Sequence, residues 1–336
     1  MRLAYHLLDV FTDRPLAGNP LAVIPEADGL SPAEMQAIAR EFNLSETVFV
    51  VTPREKIHAA RLRIFTPSQE LPFAGHPTVG AACLIALLRA PDMIGRQPLR
   101  LVLEEEIGPV ECEVSRFRGA VRAHFVAPQL PKIMGALGEP AKIAAALGLA
   151  EDRIGFDGHA PVIASAGLPF AFVPVAGLGD LRDLAPKFAL FPESFGLERP
   201  AVCVYSRETS DPAHHVQARV FVAGLNHLPV SRKRKDDSDS CSHFDVFSGE
   251  AGSASPENAV GMNEDPATGS AACAFTAVAC AFEQPEDGEH VIVIEQGFEI
   301  GRPSLIAVTL HVSGGQLTQA GVGGACVKIG EGFLTL

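Results

Sequence analysis

The chain of 336 residues is 47% hydrophobic and 20% charged, which excludes a disordered protein and leaves room for two ordinary domains or one large one. Its formal net charge of −13 argues against nucleic acid or an anionic membrane surface as a partner, so an anionic ligand must be held by local dipoles or a buried cation. Seven dispersed cysteines without a CxxC or Cys/His cluster read as free thiols in a reducing, cytoplasmic setting, and no apolar run is long enough to cross a bilayer as a helix. In chain order, LAYHLLDVF (3–11) and LAVIP (21–25) read as strands, with turn residues DRPLAGNP between them. Ser31, Pro32 and Glu34 mark a capped helix start. ETVFV (46–50) and ARLRIFT (60–66) are strands, HPTVGAACLIALLRA (76–90) is a helix, and LRLVLEEE (99–106) with VECEV (110–114) forms a hairpin.

After about residue 118 the programme restarts. AVRAHFVAP (120–128) reads as a strand, PAKIAAALGLA (140–150) as a helix, and PFAFVPV (169–175), AVCVYS (201–206) and VQARVFVAG (216–224) as strands. SAACAFTAVACAF (270–282) is a second apolar helix, followed by strands VIVIEQG (291–297), LIAVTLHV (305–312) and ACVKIG (325–330). The polar, charged segment 231–258 reads as a surface insertion; its SRKRK run is the only hint of a partner or import motif. Many strands, few helices and no strict βαβ alternation predict an α+β fold.

The halves resemble each other. At an offset of 190 residues TVGAAC (78–83) lies over TGSAAC (268–273), and each helix follows a similar strand, RIF (63–65) or RVF (219–221). Neither helix has a polar stripe, so each is expected to be buried all round. The simplest structure is a strongly curved sheet around one central helix, built twice; ordinary core helices packed on a flat sheet are the alternative. The expected domains are 1–118 and 119–336, with the last strand available to return to the first domain.

A buried helix starts with amide N–H groups that no preceding carbonyl accepts, and its dipole favours an anion there. Two such starts, FAGHPT (73–78) and EDPATGS (264–270), carry polar residues. Glu46 reads as a strand-edge carboxylate or a site residue, His76 as a cap or a site residue, and Asp265 as an N-cap before Pro266 or a site residue, with Thr268 and Ser270 beside it. Local chemistry leaves these pairs of readings open.

Taken together, GNPLAV (18–23), NLSETVFV (43–50), RIFTPSQELPFAGHPTVGAA (63–82) and EDPATGSAA (264–272) resemble the phenazine-biosynthesis PhzF-like family, in its order and across both halves. That family belongs with the diaminopimelate epimerase-like folds. The resemblance implies two pseudo-symmetric, barrel-like domains, each wrapped around a central helix, with the active site in the cleft between them, and a homodimer. It makes the chain an isomerase that moves a proton between carbons of a small carboxylate-bearing, possibly cyclic substrate, with neither metal nor organic cofactor. Glu46 is then the general acid/base, and His76 and Asp265 hydrogen-bond the reacting end. Gly75, Thr268, Gly269 and Ser270 form the carboxylate-binding helix starts, and Asn19 lies in the cleft. Relatives that racemise amino acids use opposed cysteines at the helix starts; here those positions read as Ala74 and, approximately, Pro266, while Cys83 and Cys273 read as core. One-base epimerisation through Glu46, or a catalytically idle scaffold, are the rival readings.

Overall fold

Alternating apolar positions give the N-terminal third of the chain eight strands: β1 (Arg2–Val10), β2 (Asn19–Ile24), β3 (Glu46–Val51), β4 (Ala60–Phe65), β5 (Glu70–Leu71), β6 (Leu99–Glu105), β7 (Gly108–Phe117) and β8 (Ala120–Val126). Between them lie α1 (Pro32–Phe42), with the capping box of Ser31 and Glu34 in place, and α2 (Gly75–Arg89). This computed structural model describes residues 1–197, 200–222 and 264–336; the expected insertion 231–258 lies outside them. The β2–β3 and β4–β6 pairings are parallel, while β1–β2, β3–β4, β6–β7 and β7–β8 are antiparallel.

The described remainder contains β9 (Lys132–Ala136), α3 (Pro140–Leu147), β10 (Val162–Ser165), β11 (Pro169–Pro174), α4 (Leu178–Arg182), α5 (Phe191–Phe195), β12 (Ala201–Ser206) and β13 (Val216–Val222). It continues with β14 (Glu264–Asp265), α6 (Gly269–Glu283), β15 (Gly288–Gln296), β16 (Ser304–Ser313) and β17 (Gln316–Thr335). Here β11–β12 and β13–β15 are parallel, and β9–β10, β10–β11, β12–β13, β15–β16 and β16–β17 are antiparallel, the same succession as in the first third.

The last strand joins the two parts. β17 pairs in turn with β16, with β8 over Gly321–Cys326, and with β1 over Cys326–Thr335, which closes a mixed sheet into a barrel around α2. Residues 118–119, at the expected boundary, form the turn of the β7–β8 hairpin. ACVKIG is the middle of a 20-residue strand whose glycines hid its length. A Cβ on Gly324 would lie 2.4 Å from the Phe11 ring, so close packing keeps the residue small.

Both central helices are sheathed. Every residue of α2 from Gly75 to Ala86 is buried, as are Gly269 and Ala271–Ala279 of α6. Cys83 and Cys273 sit in the core at 0% and 4% exposure.

Supporting contacts occur twice. Arg63 forks onto Glu70 across the β4–β5 pair (2.7 and 2.6 Å), and Arg219 onto Glu264 across β13–β14 (2.9 and 2.6 Å). Glu104 accepts the amides of Arg54 and Glu55 and contacts His58; Glu295 does the same for Ser210, Asp211 and His214. Glu264 therefore has a structural job. Its pair with Arg219 is buried, both side chains 11% exposed, whereas Glu70 is 41% exposed. Arg219→Met should cost about 3–5 kcal/mol by stranding a buried carboxylate, and Arg63→Met about 1 kcal/mol or less because water rescues Glu70. Urea midpoints of the two variants check the difference.

The two helix starts, Gly75 and Gly269, lie 194 residues apart, so the TVGAAC–TGSAAC alignment at 190 is out by one helical turn. The position matching Ala74 is consequently Thr268 rather than Pro266: the Ala74 amide is bonded by Glu105, and the Thr268 amide by Gln296. Alanine, glycine and serine repeats allowed both alignments; the strand pairings select one.

Candidate active site

The starts of α2 and α6 meet tip to tip. A Cβ on Gly75 would lie 2.9 Å from the Gly269 Cα, and one on Gly269 would lie 3.1 Å from the Gly75 Cα. No side chain caps either helix start. Their leading N–H groups, with no preceding carbonyl to accept them, concentrate two positive dipole ends at one place.

Around this contact a chain of polar side chains runs from β3 by way of α2 and β2 to the segment before α6. Glu46 opens β3, and its Oε2 lies 3.3 Å from Nε2 of His76, the second residue of α2. The two atoms are near but out of hydrogen-bond alignment: both are buried without a hydrogen-bond partner among the described residues. His76 Nδ1 lies 3.5 Å from Asn19 Nδ2. Asn19, fully buried at the start of β2, donates to Asp265 Oδ1 and to the Ala267 carbonyl, each at 2.9 Å. The Thr268 hydroxyl donates to Asp265 Oδ2 at 2.5 Å.

Burial sets the protonation of this chain. Desolvation, reinforced by the nearby Asp265 charge, lifts the Glu46 carboxyl to about 8. Desolvation pushes His76 down to about 3, so the imidazole is neutral. Asp265 rises to about 6: burial raises it, and the bonds from Thr268 and Asn19 hold it lower than burial alone would. Near neutral pH the site therefore holds a mostly protonated Glu46 beside a neutral histidine and an ionised Asp265. A carboxyl poised near the working pH can both take and return a proton.

Asp265 is not the helix N-cap; Thr268 holds that position. Thr268 donates its hydroxyl to Asp265. Ser270 is half-buried at the α6 start, and Gly75 and Gly269 make the contact itself. Gln296, at the end of β15, joins this group although it lies in none of the motifs. Its Nε2 donates to the Asp265 carbonyl (2.8 Å) and to Thr268 Oγ1 (3.0 Å), and its Oε1 accepts the Thr268 amide (3.1 Å). The signal was a polar pair, Glu295–Gln296, directly after the apolar run VIVI (291–294).

The repeated pairings also show which residues are not repeated. Glu46 precedes Thr47, which faces Phe65 of RIF; the matching place before Val202, which faces Phe221 of RVF, is Ala201. Asp265 faces Val220 in the β13–β14 pair, where the β4–β5 pair has Leu71 facing Ile64. His76 corresponds to Ser270 as the second helical residue. The acid, the imidazole and the aspartate thus occur once each, unlike the doubled supporting pairs.

Two surface hollows of about 430 and 490 Å3 lie beside β8 and β17, away from these residues. Among the described residues, no group of three or more His, Cys, Asp or Glu side chains is arranged to hold a metal ion, and no helix is long and apolar enough to cross a membrane.

Residues 8–227 and 251–332 match the model of a family described as phenazine biosynthesis-like protein, PhzC-PhzF. An uncharacterized isomerase of Mesorhizobium japonicum is 43% identical over 334 residues, 98% of each chain. The trans-2,3-dihydro-3-hydroxyanthranilate isomerase of Pseudomonas fluorescens is 36% identical over 332 residues, 99% of each chain. Among solved structures, a PhzF-family phenazine biosynthesis protein of Bacillus anthracis superposes with a TM-score of 0.80 at 23% identity, covering 100% of both chains.

Proposed function

The chain belongs to the phenazine biosynthesis-like PhzC-PhzF family, an isomerase family, and on that premise we propose that it moves a proton between two carbons of a small carboxylate-bearing substrate without a cofactor. Glu46 is the general acid/base. Its carboxylate form removes a proton from one carbon and, as the acid so formed, returns it to another carbon on the same face. The amides of Gly75 and Gly269 and the Ser270 hydroxyl hold the substrate carboxylate. The helix dipoles offset the charge that develops between the two proton transfers. His76 and Asp265 hydrogen-bond the reacting end, and Asn19 and Thr268 orient Asp265.

The observation that carries this reading is the burial of Glu46 Oε2 and His76 Nε2, unpaired, beside two uncapped helix starts. Buried polar atoms left unpaired cost stability unless a ligand uses them. A single acid fits a one-face proton shift, since the matching place in the second barrel is Ala201 and offers no opposing base. In this reading the molecule is two pseudo-symmetric lobes with the site between them, the second lobe lending β17 to the first. The homodimer and the cytoplasmic location belong to the same proposal.

The test uses trans-2,3-dihydro-3-hydroxyanthranilate, the compound named for the Pseudomonas fluorescens relative, together with small cyclic amino and hydroxy acids, in deuterated water. An isomerase transfers solvent deuterium to carbon in at least one of them, and Glu46→Gln does not. Exchange by neither protein, with any member of the panel, points to the idle scaffold instead. Because the carboxylate form of Glu46 is the base, kcat/KM should rise with pH and level off above about 8. A profile that falls across pH 7–8 contradicts that role.

A further inference from the structure

Asn19 reaches Asp265 across the junction of the barrels, and the loop that presents it has an anchor of its own. Between β1 and β2 the backbone takes positive φ at Phe11, Leu16 and Gly18, and at the two non-glycine residues such a turn needs an external hold. Arg302, in the turn between β15 and β16, supplies one. Its Nε donates to the Gly18 carbonyl (2.8 Å), and its Nη2 donates to the Ala17 carbonyl (2.7 Å) and to Asp9 Oδ1 (2.6 Å). Asp9, fully buried, uses its other oxygen to accept the Leu16 amide (2.7 Å). The Gly18 amide in turn donates to the Pro303 carbonyl (3.1 Å).

The same turn grips the other side of the site. The Ser304 hydroxyl donates to the Pro266 carbonyl (3.1 Å). A Cβ on Gly297 would lie 2.5 Å from that carbonyl, so the backbones are in direct contact. Segment 296–304 therefore touches both the loop before Asn19 and the segment carrying Asp265 and Thr268.

We infer that Arg302 is a positioning residue: paired with Asp9, it fixes loop 16–18 against segment 265–268 so that the Asn19 amide meets the Asp265 carboxylate. This deepens the proton-shift reading above and rests on it for its consequence in catalysis, but the geometry can be tested without turnover. Arginine suits this place because its planar fork holds Nε–H and the two Nη2–H donors in fixed directions toward two carbonyls and a carboxylate, whereas the three donors of an ammonium radiate from a single rotating point.

The test follows the Asp265 carboxyl by 13C NMR in Asp-labelled protein, assigned with Asp265→Asn, as pH is varied. The bond from Asn19 lowers the Asp265 pKa, so losing it raises the titration midpoint. The charged or titratable groups facing Asp265 are Glu46, Glu264 and, through Asn19, His76, and none of them is altered. Arg302→Met and Asn19→Ala should each move the midpoint up by roughly one pH unit, the equivalent of one lost hydrogen bond to a carboxylate. The double variant should match Asn19→Ala alone. Arg302→Lys keeps a cation beside Asp9 and guards against misfolding; it should show the same shift in smaller amount. An unmoved midpoint in both Arg302 variants, or shifts that add in the double variant, overturns the inference. If Glu46→Gln keeps turnover while these shifts appear, the functional reading fails and the clamp stands.

Discussion

Glu46→Gln is expected to lower turnover by about 10²–10⁴-fold while leaving the protein folded and able to bind the same acids. Glutamine keeps the shape of the side chain and its contact with His76 but has no exchangeable acid. Stability adds a second signature. The folded-state value of about 8 lies above the ordinary 4.5, so the folded chain holds more protons than the unfolded chain between those values. Stability contributed by this group is therefore full below 4.5 and is lost as pH rises through 8. Glutamine removes that slope, so the variant should melt higher than the native chain at pH 8–9 and alike at pH 4. Residual activity above a small fraction, or a lower melting point at pH 9, would remove Glu46 from the acid/base role.

Gly75→Ala and Gly269→Ala should each cost about 1–2 kcal/mol, with at least a tenfold loss of turnover. Alanine improves helix propensity by up to about 1 kcal/mol, which works in the opposite direction. The clash wins because the new methyl meets backbone at about 3 Å, and backbone cannot swing aside as a side chain can. Relief requires the helix starts to separate, which moves the amides of one relative to the other, and an error of about 1 Å in such a site costs on the order of 100-fold in rate. Gly29→Ala and Gly95→Ala are the controls, since a Cβ there meets nothing within 4 Å. Urea midpoints and the rate of deuterium transfer measure both effects. Equal behaviour of Gly75→Ala and Gly29→Ala would show that the contact between tips is unimportant.

Much of the architecture is written in local pattern. The capped start of α1, the strand carrying Glu46 and the two apolar helices all follow from residue spacing and agree with the structure. The short strands β9 (KIMGA) and β10 (VIAS) are not legible because neither is a run rich in β-branched or aromatic residues. The relative register of the two helices differs by one turn from the TVGAAC–TGSAAC alignment, because small residues repeat too uniformly to fix it.

The motifs single out Glu46, His76 and Asp265, which the structure brings near one another, and the absence of a polar stripe on either helix determined that both would be sheathed in strands. Which atoms would face one another was decided only by long-range pairing. Arg302 and Asp9 stand 293 residues apart, and Gln296 and Thr268 28, and no local periodicity encodes such separations. The pKa of Glu46 belongs to this second class as well: a carboxylate at a strand end titrates normally in water, and only the packing of the folded chain around it withdraws the solvent that would keep it ionised.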